Sequence, residues 1–206
     1  MQVLPLVNQY NYCFIDENNQ TLSLGKELGS GADGQVFNII ECPDKVIKLG
    51  AYYEPPYSTD KNIEHTWIHL SKVLHSILLS NNNLLAKVYY YDKLGVHTRT
   101  INNQPQRFLL YYYIMEKLHP LSEDEIKVFH SLVSHEDQNK IKKYSSLEIN
   151  KILQGLSIGL DFDLHKVMFF CKNLNKLTIQ HSDLHPRNLM KDSDGNFKLI
   201  DFDRTK

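Results

Sequence analysis

Between Thr21 and Tyr91 the sequence alternates short β-type runs with turn residues and interrupts them once with a helical run. That order demands an antiparallel sheet with one helix inserted among its connections. The runs read "TLSLGKEL", "GQVFNII", "KVIKLG" and "AKVYYYD". "ECPDK" joins the second to the third as a hairpin turn, since Pro43 fixes φ and Asp44 can bond its own backbone. Between the third and fourth runs, "DKNIEHTWIHLSKVLHSILLS" sets Ile63, Trp67, Leu70, Val73, Leu74 and Leu78 near helical spacing. "RFLLYYYIMEKLHPLS" is a further buried strand that ends at Glu116 to His119, where polarity rises and Pro120 intervenes. A boundary between two lobes is expected there, about 1–116 and 117–206. Residues 122–178 are mostly helical in pattern, most strongly in "DFDLHKVMFFCKNLNKL". The chain then returns to short strands, "NLMKD" and "NFKLID", around a turn at Asp192 to Gly195.

With 206 residues, 42% of them hydrophobic, the chain can bury a real core as one large domain or two small lobes. A formal net charge of −1, with Lys and Asp/Glu interspersed, gives no electrostatic argument for nucleic acid or an anionic membrane as partner. Cys13, Cys42 and Cys171 are far apart and lack C-x-x-C spacing, so neither a disulfide framework nor a zinc ribbon is indicated. A reducing, cytoplasmic compartment is expected. "MQVLPLVNQYNYCF" lacks the basic and apolar regions of a signal peptide, and no window reaches the roughly 18 apolar residues of a membrane span. The tyrosines at 89–91 and 111–113 read as strand core rather than as a stacking platform for bases.

"LGSGADGQVF" places Gly29, Gly31 and Gly34 in G-x-G-x-x-G spacing, which lets backbone N–H groups approach phosphate oxygens with no Cβ in the way. β-type sequence lies on both sides, so a glycine hairpin over phosphates fits better than the strand-to-helix dinucleotide fingerprint. Lys48 follows in "VIKL", on a strand, where its ammonium is placed rather than mobile; Glu64 on the next helix is the carboxylate best suited to hold it. In "HSDLHPRNLM", Asp183 and Asn188 have the D-x-x-x-x-N spacing of a loop whose carboxylate orients an attacking hydroxyl and whose carboxamide oxygen holds a cation. "KLIDFD" then supplies Asp201 straight after an apolar strand, where a second cation-binding carboxylate is expected. His181, Asp183 and His185 could bind a metal directly, but phosphotransfer explains the same residues together with the other elements.

In this order the elements resemble the protein-kinase-like superfamily, over about Leu22 to Asp203. The resemblance implies an α+β, two-lobed protein-kinase-like fold, one domain over 1–206, with a β-rich N-lobe, a reduced helical C-lobe and ATP between them. It implies that Leu28 and Val36 cover the adenine, that Met190 and Ile200 lie beneath it, and that Met115 is the gatekeeper before a hinge at Glu116 to Leu118. Gly29, Ser30, Gly31, Ala32 and Gly34 would cover the phosphates, with Lys48 binding them and paired to Glu64. Asp183 would be the catalytic Asp, with Asn188 and Asp201 holding Mg2+.

Four departures from a conventional protein kinase qualify that expectation. Ser182 replaces the Arg that receives an activation-loop phosphate. His185 stands where protein Ser/Thr kinases usually carry Lys, as in antibiotic, choline and lipid-related kinases. Asp203 replaces the last Gly of Asp-Phe-Gly. The three residues after Asp203 leave no room for an activation segment. This short form resembles type III effector kinases injected by pathogenic bacteria, which would place it in a host cell's cytoplasm, while "IDFDR" resembles the lipopolysaccharide sugar kinases. The expectation is an ATP-dependent phosphotransferase, a minimal protein Ser/Thr kinase acting on itself or a host protein, constitutive or switched on by an activating protein. The alternatives are a small-molecule or sugar kinase and a kinase-fold binding module.

Overall fold

The computed structural model describes residues 3–31, 34–53, 61–101, 103–132, 147, 151, 154–155, 164–174, 177, 179, 181 and 184–204. The chain divides into two compact units, Met1–Ser80 with Lys87–Lys117, and Asn81–Ala86 with Leu118–Lys206.

The first unit opens with helix α1 (Leu4–Gln9), where Pro5 is tolerated because its missing N–H lies in the first turn, and a small hairpin of β1 (Phe14–Ile15) and β2 (Thr21–Leu22). β3 (Leu24–Ser30), β4 (Gly34–Ile39), β5 (Lys45–Tyr53), β6 (Val88–Ile101) and β7 (Gln104–Glu116) form an antiparallel sheet in the order β3-β4-β5-β7-β6. Strand side chains alternate between faces, and that alternation sorts this unit's core. Ile47, Leu49 and Ala51 of β5, with Leu110, Tyr112 and Ile114 of β7, pack against Val3, Leu6 and Val7 of the N-terminal segment. The Tyr112 hydroxyl donates to the Ile15 carbonyl at 3.1 Å, fastening β1 to the same face.

The other face takes helix α2 (Lys61–Leu79), where the Trp67 ring lies 6.3 Å from those of both Tyr91 and Tyr111. Ile63, Leu70, Val73, Leu74 and Ile77 are its buried residues, so Ile77 rather than Leu78 completes the expected stripe. Gly50 must be glycine here, because a Cβ would enter the Tyr111 ring. β6 and β7 run well past the expected strands, pairing as far as Ile101 and Gln104, with register shifts between Val88 and Tyr90 and between Lys93 and Gly95.

In the second unit, helix α3 (Glu123–Leu132) begins with a capping box: the Ser122 N–H donates to the Glu125 carboxylate at 2.7 Å and the Glu125 N–H to the Ser122 hydroxyl at 3.3 Å. α4 (Leu164–Asn173) packs Phe170 edge-on to Phe129 of α3 at 5.8 Å. β8 (His119–Pro120), β9 (Leu189–Lys191) and β10 (Phe197–Leu199) form a small sheet in the order β10-β9-β8, and Phe197 brings a third ring to within 4.9 Å of Phe129. The other edge of β10 is taken by the linker at 84–86: the Leu199 N–H donates to the Leu84 carbonyl and the Ala86 N–H to the Leu199 carbonyl, each at 2.8 Å. Asp192 builds the β9–β10 turn by accepting from the N–H groups of Asp194 and Asn196, and Gly195 there has φ +75.

Cys171 is core; burial pushes its thiol up to about 12, and the described cysteines are all free. Among the described residues no helix is long and apolar enough to cross a membrane.

Candidate functional site

A single cross-strand row brings together three of the first unit's candidates, Gly29, Val36 and Lys48. Gly29 pairs with Val36, Val36 with Lys48, Lys48 with Tyr113, and Tyr113 with Tyr91, so these five positions share one face of the sheet. It is the face that carries α2. Lys48 is only 7% exposed, and its Nζ lies 5.6 Å from the Tyr113 ring centroid, an arrangement that confines the ammonium. Met115 lies two residues from Tyr113 on β7, paired with Val46, and is buried on the same face. Beyond it the strand ends at Glu116, whose N–H donates to the Lys87 carbonyl at 2.9 Å while its carboxylate accepts from the Lys87 N–H.

The β3–β4 hairpin closes with the Gly31 N–H donating to the Gly34 carbonyl at 2.9 Å; Ala32 lies outside the described residues. The three glycines have different reasons to be glycine. A Cβ at Gly29 or Gly31 meets nothing within 4 Å, so both leave open space beside the backbone. A Cβ at Gly34 would run into the Leu49 carbonyl of β5. Close strand packing therefore explains Gly34 without a ligand. Leu28 and Ser30 are exposed on β3, next to these glycines.

Glu64, the one acidic residue of α2, is exposed, and its carboxylate is ion-paired with Lys93 Nζ of β6 at 2.8 Å. Lys93 pairs with Tyr111 and lies one cross-strand row from that of Lys48, about 7 Å along the strands.

In the second unit, Asn188 directly precedes β9, and Ile200 and Asp201 directly follow β10. His185 and Pro186 set a 3-10 turn, Pro186–Asn188: the His185 Nδ1 accepts the Arg187 N–H at 3.0 Å, and its ring stands edge-on to His130 of α3 at 5.2 Å. A local capping role thus accounts for His185. Asn188 ends that turn, 9% exposed, and its carbonyl accepts the Ile200 N–H at 2.9 Å. The Ile200 carbonyl in turn accepts from His181 Nε2 at 2.8 Å, which fixes His181 as the Nε2–H tautomer if neutral. Ile200 is thereby clamped on both sides, and the next residue, Asp201, has φ +64. The other described non-glycine residues with positive φ are asparagines, Asn11, Asn19 and Asn103.

Met190 is half-buried on β9, paired with Lys198 and Pro120, and Leu118 is buried just before β8. Asp183 and Ser182 lie outside the described residues. No cluster of three or more His, Cys, Asp or Glu suited to a metal occurs among the described residues.

Sequence reasoning did not find Lys93 as the partner of Glu64, nor His181 as the clamp on the Ile200 carbonyl. The second had a signal, since a His before the D-x-x-x-x-N spacing and an apolar run into Asp201 are both visible; the first had none.

No family model and no curated protein matches the chain. Among solved structures it is similar to the ROP18 kinase domain in complex with AMP-PNP and sucrose, with a TM-score of 0.52 and 18% identity over 94% of this chain and 55% of that one. The likeness shows the fold, which is protein-kinase-like and α+β. The chain spans little more than half the length of that kinase domain.

Proposed function

We propose that the chain is an ATP-dependent phosphotransferase, a protein Ser/Thr kinase. The observation that carries this reading is the row Gly29–Val36–Lys48, which sets an open glycine edge, an apolar side chain and a confined ammonium in line on one sheet face. That combination suits a nucleotide: Leu28 and Val36 for the base, the N–H groups around Gly29 and Gly31 for phosphate oxygens, and Lys48 as a fixed positive charge. The structurally similar kinase domain was solved with AMP-PNP, which agrees with a nucleotide as ligand.

The second unit supplies the remaining groups of this reading. Asn188 and Asp201 offer hard oxygen donors from neighbouring, hydrogen-bonded segments, a donor set that fits Mg2+. When bound there, Mg2+ would neutralise charge on the transferring phosphoryl group. Asp183 is the residue assigned to orient the acceptor hydroxyl, because its spacing to Asn188 is that of a catalytic loop. Glu64 would serve Lys48 after leaving Lys93, and a protein substrate and an activating protein are the partners this reading implies.

Transfer of radiolabelled phosphate from ATP to the protein itself or to lysate proteins tests the reading, with Asp183→Ala as control. Incorporation that depends on Asp183 is expected. Its absence under all acceptor conditions, with ATP still bound, would leave the kinase fold serving as a binding module.

A further inference from the structure

The glycine hairpin rests on an edge strand that is poorly secured by its own ladder. Among the described residues β3 pairs only with β4, its register shifts between Leu24 and Glu27 and again between Glu27 and Gly29, and residues 26–31 are all exposed. Something other than the ladder has to fix the height of such a strand.

Gln35 is placed to do so. It follows Gly34 on β4, pairs with Ser30 and Leu49, and at 3% exposure is among the few buried polar residues. Its position is opposite in phase to Val36, so its side chain turns away from the Lys48 face toward the N-terminal segment. There the Oε1 accepts two backbone N–H groups, Val3 at 2.5 Å and Leu4 at 2.8 Å, while the Nε2 donates to the Glu27 carboxylate at 3.0 Å. Two donors on one end and a carboxylate on the other leave the amide a single orientation. One buried side chain therefore ties the start of the chain, β3 and β4 together beside the glycines. The N-terminal segment is itself anchored, by Val3, Leu6 and Val7 in the core and by the Tyr12 hydroxyl on His97 at 2.5 Å.

We propose that Gln35 is a positioning residue that couples the N-terminal segment to the glycine hairpin and so sets the affinity for nucleotide phosphates. The inference rests on the phosphotransferase reading above. It makes the N-terminal segment a regulatory handle: whatever draws residues 3–9 from the sheet releases the Oε1 end of Gln35, and the hairpin loosens on the opposite face.

Two variants break the Gln35–Glu27 contact from either side without emptying the core. Glu27→Ala removes only the exposed partner on β3. Gln35→Glu keeps an oxygen for the Val3 and Leu4 N–H groups but sets a carboxylate against Glu27, so it repels where the native amide binds. Both are expected to raise the ATP dissociation constant and KM about tenfold with little change in kcat, the effect of losing one charge-assisted hydrogen bond that holds the loop. Amide hydrogen exchange should quicken at 28–31 and 34–36 in both, and stay slow in α1 for Glu27→Ala. The combined Glu27→Gln, Gln35→Glu exchange, which restores a donor opposite an acceptor, should recover affinity. If wild-type protein binds ATP and both variants bind it equally, with unchanged exchange, this coupling is wrong while the nucleotide reading stands. If wild-type protein binds no ATP, both are overturned together.

Discussion

Asp201 combines a titratable side chain with a left-handed backbone conformation, at φ +64, that most side chains adopt only at a cost of about 1 kcal/mol or more. Asn shares Asp's tolerance of that conformation, so Asp201→Asn separates charge from shape. Phosphate transfer should fall on the order of 10²-fold or more while the thermal midpoint moves by only about 2 °C. Retained transfer would remove Asp201 from the cation site. The glycines separate in a similar way. Gly34→Ala forces a Cβ into the Leu49 carbonyl and should cost about 1–3 kcal/mol in urea unfolding, whereas Gly29→Ala opens onto empty space and should cost well under 1 kcal/mol. The spacing of three glycines was visible in the sequence, but not that one of them answers to a neighbouring strand. Glu64 was equally visible as the sole carboxylate of α2; its pairing with Lys93 depends on how β6 lies beside the helix, which no local pattern encodes.

Elements long enough to show a period were legible, and those held by single contacts were not. α2, β4 and β5 appear where alternation or helical spacing puts them, because each buries a continuous face, whereas β6 and β7 run past their expected ends and β3 is largely exposed. α1, β1 and β8 span six, two and two residues, too few for a pattern to rise above its background. The start of α3 was written openly as Ser-x-x-Glu, yet the same Glu125 also binds Lys191 Nζ at 2.9 Å, a contact reachable only once β9 is in place. Glu125→Ala deletes the cap and strands the half-buried lysine, so a loss of about 2–3 kcal/mol is expected; Glu125→Gln, which can still accept the Ser122 N–H, should lose less. The N-terminal segment carries its own pH signature. Burial holds the His97 imidazole below its ordinary 6.5, and its Nε2 is hydrogen-bonded to the Tyr12 hydroxyl. Above 6.5 this contribution is complete; as pH falls through that value the unfolded chain gains the proton first, and stability declines until the folded-state pKa is passed. Urea midpoints at about pH 7.5 and about pH 5 should therefore differ more for wild type than for His97→Gln.

At the scale of the molecule, the nucleotide reading demands that ligand and fold be linked. ATP with Mg2+ at about 100 times its dissociation constant should add about 2.7 kcal/mol to stability, and Lys48→Met should abolish most of that gain without lowering the ligand-free midpoint appreciably. A thermal shift unaffected by Lys48→Met would place the nucleotide elsewhere. The kinase-like fold was legible because the motifs that resemble it come in a fixed order along the chain: the glycines, Lys48, Asn188 and Asp201. What that order omits is how the two units share sequence. Leu84, Leu85 and Ala86, only 5%, 4% and 0% exposed, belong with residues made long after them, since Leu85 bridges Leu199 in parallel. A ribosome releases residues in order, so this apolar tripeptide emerges well before the strand that covers it. Nascent chains whose Phe197–Leu199 have not yet left the exit tunnel should cross-link to holding chaperones through residues 84–86, and emergence of that strand should end the contact.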